Sequence, residues 1–309
     1  MNHPILVTGM HRSGTTWVGK TLAADPRQVG YISEPLNCFH RPGVMRAPVS
    51  HWYVYIDSTN EGDFLHPFQE TMAFRYHLGR EILSLRSRKD VGRMIRDATI
   101  FWRSRLWGAR PLLKDPFAVF SLPWFIQRLH VNAVVTVRHP AAVVSSLKRL
   151  QWRFEVEDLL AQPHLMQGPL QSFRRELQRA VEKETDLITR GALLWKGIYA
   201  VVQEYRRDDA LPFTLVRQED LARAPIDGFR ALYTTLGLAF TPRVQEYIYQ
   251  STSAENPVEA SSDNVYAVRL DSRASLKTWQ KRLTPQEIDR IRKITEPVAS
   301  QFYTDDDWY

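Results

Sequence analysis

Residues 5–17 read ILVTGMHRSGTTW, and this stretch decides the fold. The run Ile5 to Thr8 has the pattern of a buried strand, and a helical pattern follows from Thr15 to Ala24. Gly9 and Gly14 lie at the two ends of the turn between them. Glycines let such a turn wrap an anion, and the N–H groups of the turn and of the first helical turn point at that anion. The stretch therefore predicts a strand, a phosphate-binding loop and a helix.

The loop departs from the nucleoside triphosphatase signature G-x-x-x-x-G-K-[ST] at one position. Gly9, Gly14 and Thr16 fit the signature, but Thr15 stands where the lysine would be. A threonine cannot neutralise the β- and γ-phosphates as that lysine does. Arg12 is the nearest cation, and its planar guanidinium suits a tetrahedral oxyanion group. One alternative function is a P-loop nucleotide kinase or nucleoside triphosphatase without its usual lysine. The other alternative is a tight turn that binds no ligand.

A second cation follows the strongest strand pattern of the chain, Val131 to Val137. This continuous apolar run is typical of a parallel sheet that is covered on both faces. Arg138 comes directly after it, Pro140 helps to start a helix, and Ser146 lies two turns into that helix. Open α/β sheets bind ligands outside the carboxyl ends of their strands, so we expect Arg138 to face the same crevice as the loop. The alternative is an ion pair with a surface carboxylate.

Strand and helix patterns alternate along the whole chain, which predicts a single α/β domain over residues 1–309 with a central parallel sheet flanked by helices. Further strands are predicted at 29–32, 112–113 and 213–216, and further helices at 68–88, 91–107, 117–130, 141–150, 191–206 and 284–302. Thr284 and Glu287 form a capping-box pattern at the last helix. Residues 34–67 have no regular pattern and are too long for an ordinary connection, which indicates a functional or mobile segment.

The charge balance favours an anionic ligand. The chain has 41 basic and 34 acidic residues, a net charge of +7. Basic and aromatic residues recur from Arg93 to Arg110, but they are not clustered in a tail. The apolar positions in that stretch follow helical spacing, which favours an amphipathic helix with a solvated basic face over a nucleic-acid site. These positions are Ile95, Thr99, Trp102 and Leu106. We therefore predict no nucleic-acid partner.

The cysteine content, the apolar runs and the N-terminal residues predict the cellular compartment. Cys38 is the single cysteine, which fits a reducing compartment. No run approaches the roughly 18–20 apolar residues that a bilayer span needs, and the N-terminus leaves no room for a secretion signal. We expect a cytoplasmic protein without a transmembrane segment. The sequence carries no signal for its oligomeric state.

In the loop after the first strand and in the segment after Val137, the chain resembles the PAPS-dependent sulfotransferases. Arg12 to Trp17 match their 5′-phosphosulfate loop, R-S-G-T-T-x, and Arg138 and Ser146 match the arginine, spacing and serine of their 3′-phosphate motif. The resemblance implies a P-loop NTPase-like sulfotransferase fold with 3′-phosphoadenosine 5′-phosphosulfate (PAPS) as cosubstrate, PAP as product and no metal. It also implies that Arg138 and Ser146 bind the 3′-phosphate, with Arg149 as support. The residues implied to hold the 5′-phosphosulfate are Arg12, Ser13, Gly14, Thr15, Thr16 and Trp17.

A third segment, Ser272 to Trp279, more loosely resembles the loop that closes over the nucleotide in this family. The family's R-K-G is absent from it. Arg273 and Lys277 are candidate contacts to the 3′-phosphate or adenine, with plain solvated charges as the alternative. ATP has no 3′-phosphate for Arg138 to meet, which counts against a kinase.

Catalytic candidates also come from the resemblance. In tyrosylprotein and carbohydrate sulfotransferases a glutamate after the second strand is the base, and Glu34 stands there. The string from Lys114 to Phe117 resembles the tyrosylprotein enzymes, in which the lysine stabilises the transition state. We assign Glu34 as general base and Lys114 and Arg12 as charge stabilisers. The alternatives are a helix-capping carboxylate for Glu34 and a surface lysine for Lys114. Weaker candidate bases are His11, His40, His51 and His139.

The acceptor is expected to carry a hydroxyl group, on a carbohydrate or a small molecule. Residues 35–110 are interpreted as a loop and helical insertion that shapes its site. Trp52, Tyr53, Tyr55 and Phe64 could stack on a ring, or could equally pin the long loop onto the core. A non-catalytic nucleotide-binding protein is the remaining alternative.

Overall fold

The computed structural model describes residues 3–39, 41–261 and 267–308. Within them, parallel strands form one five-stranded sheet in the order β2-β3-β1-β4-β5. The strands are β1 Ile5–Gly9, β2 Val29–Ser33, β3 Arg110–Lys114, β4 Asn132–Val137 and β5 Phe213–Arg217. The sequence predicted each of them to within two or three residues. Helices flank this sheet, so the predicted single α/β domain is confirmed.

The helices of the described residues fall into three groups along the chain. Those before β4 are α1 Thr15–Leu22, α2 Glu61–Met72, α3 Leu78–Ser84, α4 Arg88–Leu106 and α5 Leu122–Leu129. Those between β4 and β5 are α6 Pro140–Leu150, α7 Val156–Leu160, α8 Pro163–Gln167, α9 Arg174–Glu182 and α10 Leu187–Arg206. Those after β5 are α11 Gln218–Arg223, α12 Pro225–Thr235, α13 Pro242–Thr252, α14 Thr278–Arg282 and α15 Pro285–Ala299. The capping box of Thr284 and Glu287 begins α15 as predicted.

The strand order places a topological switch between β1 and β4. The chain leaves β1 toward β2 and β3 on one side, and leaves β4 toward β5 on the other. Side chains alternate along β1, so that Ile5 and Val7 pack in the core beneath α1, α12 and α13, whereas Leu6 packs in the opposite core. Trp195 and Tyr199 of α10 are fully buried in this second core. The connections after β1 and β4 therefore start beside each other, at the crevice where such sheets bind ligands.

The predicted helix over 68–88 is wrong in its bounds. Two helices, α2 and α3, cover this region, and α2 begins at Glu61 with Pro67 inside it. Proline usually marks the first turn of a helix, so Pro67 was a misleading start signal. The break after α2 lies at Phe74, which has a left-handed φ of 52°. A non-glycine residue in that conformation cannot continue a right-handed helix.

The helix α4 is confirmed, but its orientation is the reverse of the one expected. The apolar positions that defined its face are exposed: Ile95, Thr99, Trp102 and Leu106. Its buried side chains are Asp97, Phe101 and Ser104. Asp97 forms ion pairs with Arg41 and Arg96, and Phe101 packs edge-on against Phe74.

The irregular stretch from 34 to 60 is packed against the core. Leu36, Val44, Tyr53 and Ile56 are among its buried side chains, and Ser121 accepts the N–H of Ile56 at 2.9 Å. Buried backbone groups in this stretch form hydrogen bonds with side chains, where a strand would bond to a neighbouring strand. The stretch therefore has no periodic sequence pattern that predicts its packing. No helix within residues 3–39, 41–261 and 267–308 has the length and apolar character needed to cross a bilayer.

Candidate active site

The loop between β1 and α1 is held in a conformation that depends on its two glycines. Gly9 has φ 141° and Gly14 φ 96°, while Arg12 between them is also left-handed at φ 69°. A Cβ on Gly9 would lie 2.4 Å from the carbonyl oxygen of Thr136. The hydroxyl of Ser13 shares a 2.7 Å hydrogen bond with the hydroxyl of Thr136. The loop is therefore locked onto the end of β4, and strain of this kind is typical of binding sites.

The two predicted anion-binding segments meet at this point. The Nε of Arg12 donates a 3.0 Å hydrogen bond to the hydroxyl of Ser146, and Arg138 Nη1 lies 3.3 Å from the carbonyl oxygen of Arg12. Burial lowers the pKa of the Arg138 guanidinium, and the nearby Glu219 partly offsets this effect. Arg138 Nε is buried without a protein partner in the described part of the chain. A buried guanidinium with an unused donor is suited to an anionic ligand.

These residues lie on one cavity of about 510 Å³ at the carboxyl ends of the strands. From the 5′ loop, Arg12, Gly14, Thr15, Thr16 and Trp17 line it. The N–H groups in the first turn of α1 have no acceptor within the helix, so they are available to a phosphate group. Ser13 is fully buried behind the wall. Glu34, Arg138 and Ser146 line the same cavity.

A buried polar layer supports Arg138 from behind. The carboxylate of Glu219 accepts the backbone N–H of His139 at 2.8 Å and the hydroxyl of Tyr303 at 3.1 Å. The indole of Trp195 donates to the carbonyl oxygen of Arg138 at 2.9 Å. These bonds fix the backbone on both sides of the residue, so the direction of the guanidinium is set by the fold.

Glu34 is held by Lys114 and Asn37. The Nζ of Lys114 donates to Glu34 Oε1, and Asn37 Nδ2 donates to Oε2 at 2.8 Å. Burial raises the pKa of Glu34, but Lys114, Asn37 and Arg41 together outweigh burial, so that the net pKa lies below its ordinary value. Glu34 has φ 50°, and its backbone N–H donates to the Lys114 carbonyl oxygen at 2.7 Å. The site therefore presents an ionised carboxylate in a fixed position.

Asp115 positions the segment that carries Glu34. It is buried, and it accepts the N–H of Leu36 at 2.6 Å and the N–H of Phe117 at 3.0 Å. Burial raises the pKa of this carboxyl to about 7. No function was predicted for Asp115, although its position after a strand end was a signal. Lys114 is itself buried and does not line the cavity, so the alternative of a surface lysine is wrong.

The histidines differ in their access to the site. His11 lines the cavity, and its ring is 2.5 Å from the Tyr53 hydroxyl. Burial and the neighbouring Arg12 lower the pKa of His11 to about 4, which makes it a weaker base than a free histidine. His51 instead pairs with Asp158 at 2.8 Å. His40 lies outside the described residues.

The predicted C-terminal contacts are not on the cavity wall. Arg273 and Lys277 are exposed, and Arg273 donates to the carbonyl oxygen of Arg223 at 3.1 Å. Three other arginines line the cavity, Arg149, Arg153 and Arg282. Arg149 was expected as support, but Arg153 and Arg282 were not predicted. Arg282 lies on α14, and its guanidinium donates to Ser145 Oγ at 2.9 Å and pairs with Glu259.

Aromatic side chains form the remaining wall. Trp52 and Phe117 have ring centroids 4.5 Å apart, and Phe39 meets Trp52 edge-on at 5.5 Å with 81% of its surface exposed. Of the insertion predicted over 35–110, the described lining residues are Asn37, Phe39 and Trp52, and α2 to α4 contribute none. Tyr53 and Phe64 are buried in the core, where neither can stack on a ligand ring; Tyr53 pins the loop, and Phe64 belongs to α2. In the described ranges no three His, Cys, Asp or Glu side chains are grouped as a metal ligand set.

The chain has a parallel sheet with a glycine loop after β1 and a buried arginine after β4, and both segments line one cavity. The model of the sulfotransferase family matches residues 4–242, and this chain belongs to that family. Among curated relatives, it is 25% identical over 199 residues to carbohydrate sulfotransferase 3 of Rattus norvegicus, covering 62% of this chain and 35% of the relative. It is 29% identical over 89 residues to carbohydrate sulfotransferase 1 of Danio rerio, covering 29% of this chain and 21% of the relative. The chain thus spans about a fifth to a third of the length of these relatives.

Solved structures share the fold. The sulfotransferase domain from the curacin biosynthetic pathway superposes with a TM-score of 0.52 at 14% identity, covering 97% of both chains. The sulfotransferase domain from the Synechococcus PCC 7002 olefin synthase gives a TM-score of 0.51 at 14% identity, covering 99% of this chain and 97% of that one. At this identity the likeness shows the fold alone.

The glycine loop yields a stability prediction. Gly9→Ala should lower the free energy of unfolding by about 1–3 kcal/mol, because its methyl group must displace the end of β4. Gly62→Ala is the matched control, since nothing lies within 4 Å of its added Cβ. It should raise that free energy by about 0.5–1 kcal/mol, because alanine is favoured within a helix. Urea unfolding of both variants measures this, and an unchanged Gly9→Ala protein would contradict the close approach.

A second prediction concerns pH. His139 is stacked on Trp279 and enclosed by Tyr303 and Trp308, and burial lowers its pKa from 6.5 to about 3. Below pH 6.5 the unfolded chain binds a proton that the folded protein does not, so stability falls as the pH falls. His139→Phe should therefore lose about 2 kcal/mol less than the wild type between pH 7 and pH 5. Equal losses in urea unfolding at the two pH values would refute the buried neutral imidazole.

Proposed function

We propose that this protein transfers a sulfuryl group from PAPS to a hydroxyl acceptor. The observation that carries the proposal is the contact of Arg12 with Ser146, which joins the 5′ loop to the predicted 3′-phosphate residues in one cavity. A nucleotide that carries phosphate groups at the 5′ and the 3′ positions of its ribose needs two cationic side chains in one cavity. Arg12 and Arg138 supply them, and Arg149 and Arg282 add positive charge nearby.

The reaction we propose is an in-line displacement. The acceptor oxygen attacks sulfur, the bond from sulfur to the phosphate oxygen breaks, and PAP leaves with that electron pair on its 5′-phosphate. The acceptor proton passes to the carboxylate of Glu34. Arg12 and the N–H groups at the start of α1 stabilise the charge that develops on the leaving phosphate. No metal enters this scheme.

Lys114 is proposed to act first on Glu34. Its ammonium group hydrogen-bonds that carboxylate, which keeps Glu34 ionised at neutral pH and therefore able to accept a proton. The predicted contact of Lys114 with the leaving group would require it to share its donors between the carboxylate and the phosphate. Because Lys114 does not line the cavity, that contact also requires its Nζ to move from its position beside Glu34.

A carbohydrate is the acceptor class that we propose. The curated relatives are carbohydrate sulfotransferases, and aromatic rings line part of the cavity. Phe39 and Trp52 offer an apolar face on which a sugar ring can stack. A cytoplasmic location stays a prediction, supported by the single Cys38.

Nucleotide binding tests the first half of the proposal. Calorimetry without metal should show adenosine 3′,5′-bisphosphate binding more tightly than ADP, because only the former has a 3′-phosphate. Ser146→Ala should weaken binding of the bisphosphate by roughly 10- to 100-fold, the range for a hydrogen bond to a charged group. ADP is the internal control, since its affinity should not change. Equal affinities for the two nucleotides in the wild type would favour the kinase or triphosphatase alternative.

Glu34→Gln tests the base. The amide cannot take up the acceptor proton, so kcat should fall by roughly 10²–10⁴-fold. Affinity for adenosine 3′,5′-bisphosphate should persist, which separates lost chemistry from lost binding. Glu182→Gln makes the same chemical change at an exposed position of α9 and should leave turnover unaltered. Near-normal turnover of Glu34→Gln with a carbohydrate acceptor would remove Glu34 from this role.

A further inference from the structure

The outer face of α4 exposes a continuous apolar stripe. Its large side chains are Val91, Ile95, Trp102 and Leu106, with Thr99 completing the spacing of three and four residues. Leu106 exposes 82% of its surface and Trp102 exposes 72%. From Val91 to Leu106 a helix extends about 22 Å. The stripe therefore presents an elongated apolar surface to solvent.

The neighbouring α3 extends this surface. Ile82 and Leu83 are exposed there, Leu83 at 89%. The helix is tied to α4 by its buried Glu81, which pairs with Arg93. We call the exposed apolar side chains of these two helices the α3–α4 face. Solvated loops and helices seldom carry so many large apolar side chains together, so a partner is indicated.

The same segment carries most of the protein's net charge. Residues 78–107 contain eight Lys or Arg and three Asp or Glu, a net charge of +5, compared with +7 for the whole chain. Two of the three acids, Glu81 and Asp97, are buried and paired with arginines. Arg103 and Arg105 are exposed beside the stripe, and Arg103 lies over the ring of Trp107 at 4.9 Å. The partner must therefore accept both apolar side chains and positive charge.

We propose that the α3–α4 face binds the surface of a membrane that contains anionic phospholipid. A helix with Trp and Leu on one strip and Lys or Arg beside it lies in the interface of a bilayer, with its apolar side chains at the acyl boundary. The arginines then meet the lipid phosphates. This mode of binding is peripheral and is independent of the proposed sulfuryl transfer.

Two other occupants fit less well. A second copy docked through the same face would bring two segments of charge +5 together, and these would repel each other. A nucleic acid would use the arginines and would stack on Trp102, but it would leave the aliphatic Ile95 and Leu106 in water. Charge and apolar character together match only the anionic lipid surface among these three.

Vesicle co-sedimentation tests the proposal. The full chain should sediment with vesicles that contain phosphatidylglycerol, stay in solution with phosphatidylcholine alone, and be released by salt. Combining Trp102→Ser with Leu106→Ser, or Arg103→Glu with Arg105→Glu, should each weaken binding at least about tenfold. These four side chains are exposed, so the variants should fold, and circular dichroism checks this.

Matched controls lie on other helices. Tyr249→Ser removes an aromatic side chain from α13 that exposes 69% of its surface, and Lys293→Glu reverses an exposed charge on α15. Both should bind the vesicles within about twofold of the wild type. Failure to sediment with anionic vesicles, or equal losses in the controls, would overturn the proposal. It would also be overturned by a solution dimer that the serine pair dissociates, or by tighter retention on RNA than on vesicles.

Discussion

The site depends on the close approach of β1 to β4 at Gly9. A side chain there would collide with the carbonyl oxygen of Thr136, so the pairing of these strands to their last residues requires glycine. Because β4 ends next to the loop, Arg12 reaches the hydroxyl of Ser146 on α6. The contact between two segments 134 residues apart is thus a consequence of one missing side chain in the sheet.

Arg138 and Glu34 are held in the cavity in different ways, the first through the backbone and the second through its side chain. Arg138 is directed by bonds to its own backbone and that of its neighbour, through Trp195 and Glu219. Glu34 is directed by side chains, Lys114 and Asn37, and by a left-handed backbone. The first arrangement is rigid, since it belongs to the sheet edge. The second rests on side-chain hydrogen bonds to a carboxylate that itself lines the cavity, so Glu34 is the part of the site that can respond to binding.

Local sequence predicted the parts of the fold that local physics determines. The strand, glycine loop and helix over residues 5–24 could be predicted because each gives a local signal: an apolar run, two glycines and helical spacing. Arg138 was readable because strand ends in a parallel sheet share one edge. Arg282 was not readable, since α14 reaches the cavity only through tertiary packing and its pairing with Glu259. Asp115 was missed for a similar reason. Its carboxylate accepts the N–H of Leu36, which lies in the irregular segment and comes near Asp115 only in the folded protein.

The reversed orientation of α4 shows where amphipathic periodicity fails as a guide. The pattern correctly predicts a helix, but it does not say which face the rest of the protein covers. Here the core side accepts Asp97 because Arg41 neutralises it, and Phe101 finds an aromatic partner in Phe74. Burying a single Leu or Ile side chain contributes about 1.5–3 kcal/mol, so leaving Leu106, Ile95 and Trp102 in water forgoes stabilisation that the opposite orientation would gain. The buried ion pair does not recover it, since such pairs roughly balance their desolvation. A partner that covers the outer stripe, such as the proposed lipid surface, would recover that stabilisation.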